Sequence, residues 1–470
     1  LVVIEYIVLV AIALVFLPQI LVYITHTILL LNSRNKTITH VFPAGEEYSD
    51  ISFIMPIRKE PIDYVVEAAR YVHSLGLSSY ELIIVSDDDE EYKKELFNLV
   101  HKLREEGVNA WLMWRRYPRG YRTGALNDGL YASKGEYVYV LDVDTRPSKC
   151  FFERAPRVLR SDPSVVAVVG RWEPLNMNTR LSQALALGLR FLTRILYRAR
   201  SINGLFTYPL GTGTLYRSKI LKEYFNGWDE NRIQDDMELG ARIMHSGYRV
   251  LYLDECPVYV ENPGTYKSFR IQQARWAYGA MDAAITRFKH IFSSNYSLIV
   301  KTDALMYLLQ YVSQTLVFIG TIALATLSFL NWFEPLTLIL SLTLILLMML
   351  VIYAFLMRAE SNWVKTRWEF MVLTGRLSAV SVAVSPYVAF STLKALFRIR
   401  EAYKRTPKGT YQKLHTNLRI PWELLIGIYL VIGGVCAAIH GLKLIPLWLF
   451  TTSMGYLYVV IRFPYDVFYK

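Results

Sequence analysis

Tyr137–Pro147 reads YVYVLDVDTRP, an apolar run with strand character that ends in two aspartates one residue apart and then turns at a proline. Side chains at i and i+2 of a strand share a face, so Asp142 and Asp144 meet one partner if strand geometry persists through Val143. Two carboxylates at a sheet edge repel unless a cation offsets their charge. A divalent metal carrying a diphosphate would do so, because Mg2+ and Mn2+ favour carboxylate and phosphate oxygens. The alternative is a solvated strand end with a turn at Pro147.

Working outward, Ile51–Pro56, Glu81–Ser86, Ala110–Trp114 and Val165–Gly170 are further short apolar runs, separated by amphipathic patterns such as DYVVEAARYVHSL and EYKKELFNLVHKLREEG. This alternation predicts a parallel α/β sheet whose ligands collect at the carboxyl ends of the strands. Asp87, Asp88 and Asp89 end the second strand much as Asp142 and Asp144 end the fourth. In a nucleotide-binding sheet an acid at that place accepts hydrogen bonds from a ribose or base. An acidic cap on the helix beginning EYKKELF accounts for the same residues without a ligand.

The chain of 470 residues is 53% hydrophobic and 20% charged, with a mean hydropathy of +0.24. That is too apolar for an ordinary soluble enzyme and puts part of the chain in lipid. The expected organisation is a retained membrane helix at 1–31, a soluble domain at 32–300 and a membrane region at 301–470, with spans near 304–330, 335–357, 421–441 and 444–463. Segment 368–397 carries Arg376 and Pro386. A single crossing there would put the following basic run outside, so it reads as interfacial or re-entrant, with a sixth spanning helix as the alternative. Basic amphipathic segments at 181–200 and 266–288 are expected to lie on the membrane surface. The net charge of +12 gathers beside apolar stretches, as in KALFRIREAYKRTPKGTYQK (Lys394–Lys413), which fits a cytoplasmic membrane face and no nucleic-acid partner. Cys150, Cys256 and Cys436 are far apart and form no Cys-x-x-Cys pair, so neither a disulfide framework nor a zinc site is expected.

Three more constellations carry chemistry. RTGALNDGLYA (Arg122–Ala132), after WRRYPRGY, puts Arg119, Arg122 and Gly124 near a helix start, suited to phosphate contact or to a solvated basic loop. In ENRIQDDMELGARIMHSG, Asp235 and Asp236 open a helix that breaks at Gly247, as a cap or, in a cleft, as a general base; upstream, Gly211-Thr212-Gly213 lets a substrate approach the backbone. In QQARW (Gln272–Trp276), Arg275 suits a phosphate and Trp276 a sugar face, with Gln272 about one turn away. An aromatic interface anchor beside a snorkelling arginine is the alternative.

Taken in order, Asp87-Asp88, Asp142-Val143-Asp144, Gln234-Asp235-Asp236 and Gln272-Gln273-Ala274-Arg275-Trp276, with IMPIRKEP before them and RTGALN between, resemble the membrane-embedded, inverting family 2 glycosyltransferases, the superfamily of cellulose, chitin and hyaluronan synthases. The resemblance runs from about Ile51 to the C-terminus. It implies an α/β GT-A (Rossmann-like) domain with amphipathic interface helices and a transmembrane region, a UDP-sugar donor and Mg2+ or Mn2+. It further implies that Asp87 or Asp88 holds the base, Asp142 the nucleotide and the metal, and Asp144 the metal. Arg122 and Arg275 would meet the donor diphosphate, and Asp236 would be the general base. Gly211, Thr212, Gly213, Asp235, Gln272 and Trp276 would border the acceptor. Asp235 stands where the family commonly has Glu and Arg122 where it commonly has Lys, and RTPKGTYQK lacks the gating-loop pattern of cellulose synthase. The function implied is a plasma-membrane hexosyltransferase with a cytoplasmic catalytic domain that extends a β-linked polysaccharide and passes it across the membrane. The alternatives are a glycolipid synthase using a lipid acceptor and a non-catalytic transporter or scaffold; accessory subunits are left open.

Overall fold

Eight strands form a single mixed sheet in the order β3-β2-β1-β4-β7-β6-β8-β5. They are β1 (Ile51–Ile57), β2 (Tyr80–Ser86), β3 (Ala110–Trp114), β4 (Tyr137–Val140), β5 (Thr145–Pro147), β6 (Val165–Pro174), β7 (Thr214–Arg217) and β8 (Arg249–Val260). The computed structural model describes residues 2–38, 49–330, 347–348, 350–354, 357–358, 361, 363–403, 405–406 and 417–469. Its helices are α1 (Val2–Ser33), α2 (Ile62–Ser74), α3 (Glu90–Glu105), α4 (Tyr121–Ala132), α5 (Lys149–Ser161), α6 (Arg180–Arg190), α7 (Arg198–Ile202), α8 (Ser218–Glu223), α9 (Asp235–Ser246), α10 (Tyr266–Phe292), α11 (Leu298–Leu308) and α12 (Gln310–Leu330). After these come α13 (Arg367–Ala383), α14 (Ser385–Leu396), α15 (Trp422–Ile439), α16 (Leu444–Arg462) and α17 (Pro464–Phe468).

The five predicted strands all form, and β1 pairs in parallel with both β2 and β4. Its seven residues are nearly all buried, as a central strand covered on both faces requires. Phe53, Tyr139, Phe151 and Phe152 pack as a tilted and edge-on cluster with centroids 5.0 to 5.7 Å apart, fixing β1 and β4 against α5. The sheet is not parallel throughout. β7 runs antiparallel between β4 and β6, and β5 antiparallel beside β8. The short TLYR run of β7 carried too little periodicity to be read as a strand. Between β1 and β4 the strand order reverses, and a crevice opens at the carboxyl ends of such a pair.

Two expectations are corrected here. Strand geometry does not persist through Val143: β4 ends at Val140, and Thr145 N donates to Asp142 O at 3.0 Å to close a turn. Cys150 and Cys256, with Cα atoms 5.5 Å apart, form a disulfide across 106 residues of sequence. The pairing of Pro147 with Val258 brings the start of α5 against β8, and no sequence spacing announces a contact made by sheet register.

Among the described residues, Leu14–Ser33, Gln310–Leu330, Trp422–Ile439 and Leu444–Arg462 are long and apolar enough to cross a membrane. The span expected at 304–330 divides at Leu309, where α11 ends and α12 begins. That expected at 335–357 lies mostly outside the described residues. Segment 368–397 becomes the pair α13 and α14, bent by 46° just before Pro386, a broken span or re-entrant element. The helix expected at 181–200 forms as α6, a π-helical stretch at Phe191–Tyr197 and α7, which pack between β6 and the helices α1 and α13. Of α6, the π-helical stretch and α7, only Arg180 is exposed. Amphipathicity shows that a helix has two faces, but not which neighbour covers the polar one.

Candidate active site

A cavity of about 450 Å3 lies beyond the carboxyl ends of β1 and β4 and is closed by α9, α10 and the start of α12. Its wall includes Asp87, Arg122, Asp142, Asp144, Gly211 and Thr212 on one side and Asp235, Asp236, Gln272, Arg275 and Trp276 on the other. Eleven of the thirteen residues singled out from the sequence thus reach one space, although β2, β4, α4, α9 and α10 contribute them separately. The two that do not are Asp88 and Gly213.

Asp88 is buried and accepts from Lys59 N and, at 2.9 Å, from Ser86 Oγ, so it fastens the turn after β1 to the end of β2. Asp89 is the cap, accepting from Tyr92 N at 3.0 Å. The triple aspartate therefore divides into three tasks, with Asp87 alone on the wall. Asp87 pairs with Arg115 at 2.8 Å. Burial pushes its carboxyl up to about 6, against the pull of Arg115 and Arg58. Gly213 lies behind the wall with φ +86°, and Thr212 spends its hydroxyl on Val140 O at 3.1 Å, stapling its loop to β4. The backbone approach expected of this loop belongs to Gly211, where an added Cβ would stand 3.3 Å from Asp236 Oδ2.

Arg122 is placed differently from its expected position at a phosphate. It bridges Asp142 at 2.9 Å, Asp235 and the carbonyl of Gly211 at 2.8 Å, so one guanidinium joins the carboxylates of both walls. The start of α4 is close-packed enough to fix it: a Cβ on Gly124 would lie 1.9 Å from Arg119 O. Asp235, expected beside an acceptor, is thereby a charge partner of Arg122. Asp236 accepts from Gln234 Nε2 at 2.8 Å and from Met237 N at 2.7 Å. Burial, with the Asp235 charge added, holds its carboxyl above the usual range, opposed by these donors and by Arg122. Gln234 is seated against Gly279 of α10, where a Cβ would lie 2.5 Å from Gln234 Cβ.

Arg275 donates through Nη1 to the Tyr403 hydroxyl at 2.6 Å, while its buried Nε meets no acceptor among the described residues. Tyr403 also stacks on Tyr121 with centroids 6.2 Å apart, and Arg405 pairs with Glu60, so the segment after α14 crosses the cavity mouth. Of RTPKGTYQK, residues 407–413 lie outside the described residues. Sequence reading missed Tyr403, and also Tyr307, Gln310 and Tyr311, which line the end of the cavity facing the membrane helices. Their only signal was polarity inside an otherwise apolar run. Among the described residues, no three His, Cys, Asp or Glu side chains converge as a ready-made metal site.

A family model described as "Glycosyl transferase family group 2" matches residues 137–357. A probable glycosyltransferase of Sulfolobus acidocaldarius is 29% identical over 420 residues, 88% of this chain and 89% of that protein. Glucomannan 4-beta-mannosyltransferase 7 of Arabidopsis thaliana is 31% identical over 204 residues, 42% of this chain and 36% of the plant enzyme's length. The fold is shared with the mannosyltransferase PcManGT of Pyrobaculum calidifontis, solved with GDP-Man and Mn2+, at a TM-score of 0.56 and 16% identity over 84% of this chain and 99% of that one.

Proposed function

We propose that the chain is a family 2 glycosyltransferase, a reading that its GT-A fold and its relatives support, and that it moves a hexose from a nucleotide diphosphate donor to a hydroxyl acceptor with inversion. The observation that carries this reading is the meeting, in one cavity, of Asp142 and Asp144 with the buried carboxylate Asp236 across the Arg122 bridge. Asp87 takes the base and Asp142 the ribose. Arg275 has a buried donor, unpaired among the described residues, to offer a diphosphate oxygen.

The donor set fits a divalent cation of the Mg2+ or Mn2+ type. Two carboxylates on the wall, with phosphate oxygens and water completing the shell, are what such ions take in phosphate sites. Bound there, the ion would offset the charge of the leaving diphosphate. Arg275 stabilises that same charge from the protein side. Asp236, on the opposite wall, accepts the proton of the incoming hydroxyl, and its raised proton affinity makes it a stronger base than an exposed carboxylate. Displacement in line from that side inverts the anomeric centre.

The names of the plant relatives and of PcManGT support a mannosyl donor carried on GDP, in place of the UDP-sugar expected from the sequence. The apolar helices support a membrane enzyme. We place its division at 1–31, 32–300 and 301–470, with the catalytic domain at the cytoplasmic face beside the basic Lys394–Lys413 run. The acceptor is a growing β-linked polysaccharide that leaves through the membrane helices, in keeping with a cavity that extends to Tyr311 of α12.

The test is to incubate the purified chain in lipid nanodiscs with Mn2+ and radiolabelled GDP-mannose, UDP-glucose and UDP-N-acetylglucosamine in turn. Polymeric label supports the reading, label running with lipid replaces it by a glycolipid synthase, and no transfer or donor hydrolysis points to a non-catalytic scaffold.

A further inference from the structure

The N-terminal end of α10 is held in a buried ionic socket that the site does not use. Glu423, fully buried in the first turn of the apolar helix α15, meets Arg270 of α10 at 3.3 Å and pairs with Arg419. Tyr387 of α14 donates its hydroxyl to Glu423 at 3.0 Å and receives Arg419 Nη2 at 2.7 Å. Beside them, Arg270 Nη1 donates to the Asp466 carbonyl at 3.2 Å, and the Asp466 side chain accepts from Lys267 N at 3.3 Å. α10 and α14 therefore converge on the Glu423 carboxylate of α15, and α17 meets the same arginine of α10.

A charge at the start of a lipid-facing helix is costly, and its partners offset that cost only in good geometry. With two arginines and a tyrosine on Glu423, this socket has one satisfied arrangement, and α10 cannot slide or roll without leaving a buried charge unpaired. Helix geometry makes that constraint relevant to the site. At about 100° per residue, Gln272, Arg275 and Trp276 lie roughly 140° to 240° around α10 from Arg270, within about 9 Å along the axis. The socket grips the back of the helix whose front lines the cavity.

We propose that Glu423 is a positioning residue for sugar transfer, locking the Gln272–Trp276 face of α10 to the membrane helices through Arg270. The inference rests on the glycosyltransferase reading above. Of the residues assigned to the donor only Arg275 lies on α10, while Asp87, Asp142 and Asp144 do not, so loosening the socket disturbs acceptor placement more than nucleotide binding. Transfer then falls while loss of donor sugar to water persists.

The test is Glu423→Gln, which keeps the shape and removes the charge, in the full chain in nanodiscs. The expected result is a transfer rate down about tenfold or more with donor KM within about threefold, and a raised ratio of hydrolysis to transfer. Glu423→Asp should recover part of the rate. Hydrogen exchange should rise at 266–276 and stay unchanged over β1 and β4, a readout that needs no activity. If Glu423→Gln does not fold, Tyr387→Phe removes only the hydroxyl between Glu423 and Arg419 and should give the same changes at smaller size. Unchanged exchange at 266–276, or equal loss of transfer and hydrolysis, in a folded variant overturns the proposal. A wild-type chain that turns over no donor would instead sink the glycosyltransferase reading, and the exchange result still decides the socket.

Discussion

The two walls of the cavity are built differently. On the donor side, Asp87 follows directly on β2 and Asp142 and Asp144 sit in the short turn between β4 and β5, and backbone bonds such as Leu141 N to Ile54 O at 3.0 Å hold the last ladder rungs under them. On the facing side, Asp236, Arg275 and Tyr403 come from a helix start, a long helix and an extended segment. Side chains hold that wall together: Gln234 on Asp236, Tyr403 on Arg275 and Arg122 across to Asp235. A wall carried by a hydrogen-bonded sheet stays put whatever occupies the site. One carried by single side-chain contacts can shift at the cost of a few hydrogen bonds, each worth about 1 kcal/mol.

The comparison breaks most sharply at Asp236. Asp236→Asn should lower transfer by roughly a thousandfold or more while nucleotide binding by calorimetry stays within a few-fold. Equal loss of both would mean that the two walls are not functionally separate. Asp144→Asn should do the reverse on a smaller scale: Mn2+-dependent donor affinity weakens by roughly tenfold to a hundredfold or more, since altering even the groups that support a metal's ligands costs about that much. Donor binding that ignores both Mn2+ and the substitution would remove the metal from the donor wall.

Acidity should separate activity from stability. Because burial and Asp235 raise the proton affinity of Asp236, its protonated, inactive fraction grows nearer neutrality than for an exposed Asp, so kcat falls as pH drops toward 5. Stability moves the other way. The folded state binds protons that the unfolded chain does not between the ordinary carboxylate value and the raised one, a window that for Asp87 ends at about 6. Unfolding free energy from these groups therefore rises as pH falls through that window. A pH–rate profile beside thermal melts checks both signs, and an acid limb no different from that of an exposed carboxylate would count against Asp236 as the base.

The smallest effect is expected at Tyr403→Phe, which keeps the stack on Tyr121 and removes the hydroxyl on Arg275. Donor KM should change by about twofold to fivefold, the scale of one hydrogen bond, with kcat less affected. A kcat loss as large as that of Asp236→Asn would make the segment across the mouth part of the chemistry.

The motifs in YVYVLDVDTRP, IIVSDDDE and QQARW were legible because each is a short run of residue types whose local geometry follows from the chain itself. Together with RTGALN, Gly211-Thr212-Gly213 and QDDMELG, they located the cavity and eleven of its wall residues. Arg122 was read as a phosphate contact because its charge was visible while its two carboxylate partners, 20 and 113 residues away, were not. The same reason hid the Cys150–Cys256 bond, the insertion of β7, and Tyr403.

By itself the sequence determined the alternation of strands and helices, the apolar segments and the identity of the carboxylates, since periodicity and charge are properties of neighbours along the chain. Only the tertiary structure decided which aspartate of three faces the cavity, what neutralises Asp142 and Asp235, and where α10 is anchored. Those depend on register and on contacts between residues tens to hundreds of positions apart, where burial leaves each charge only the partners that packing happens to deliver.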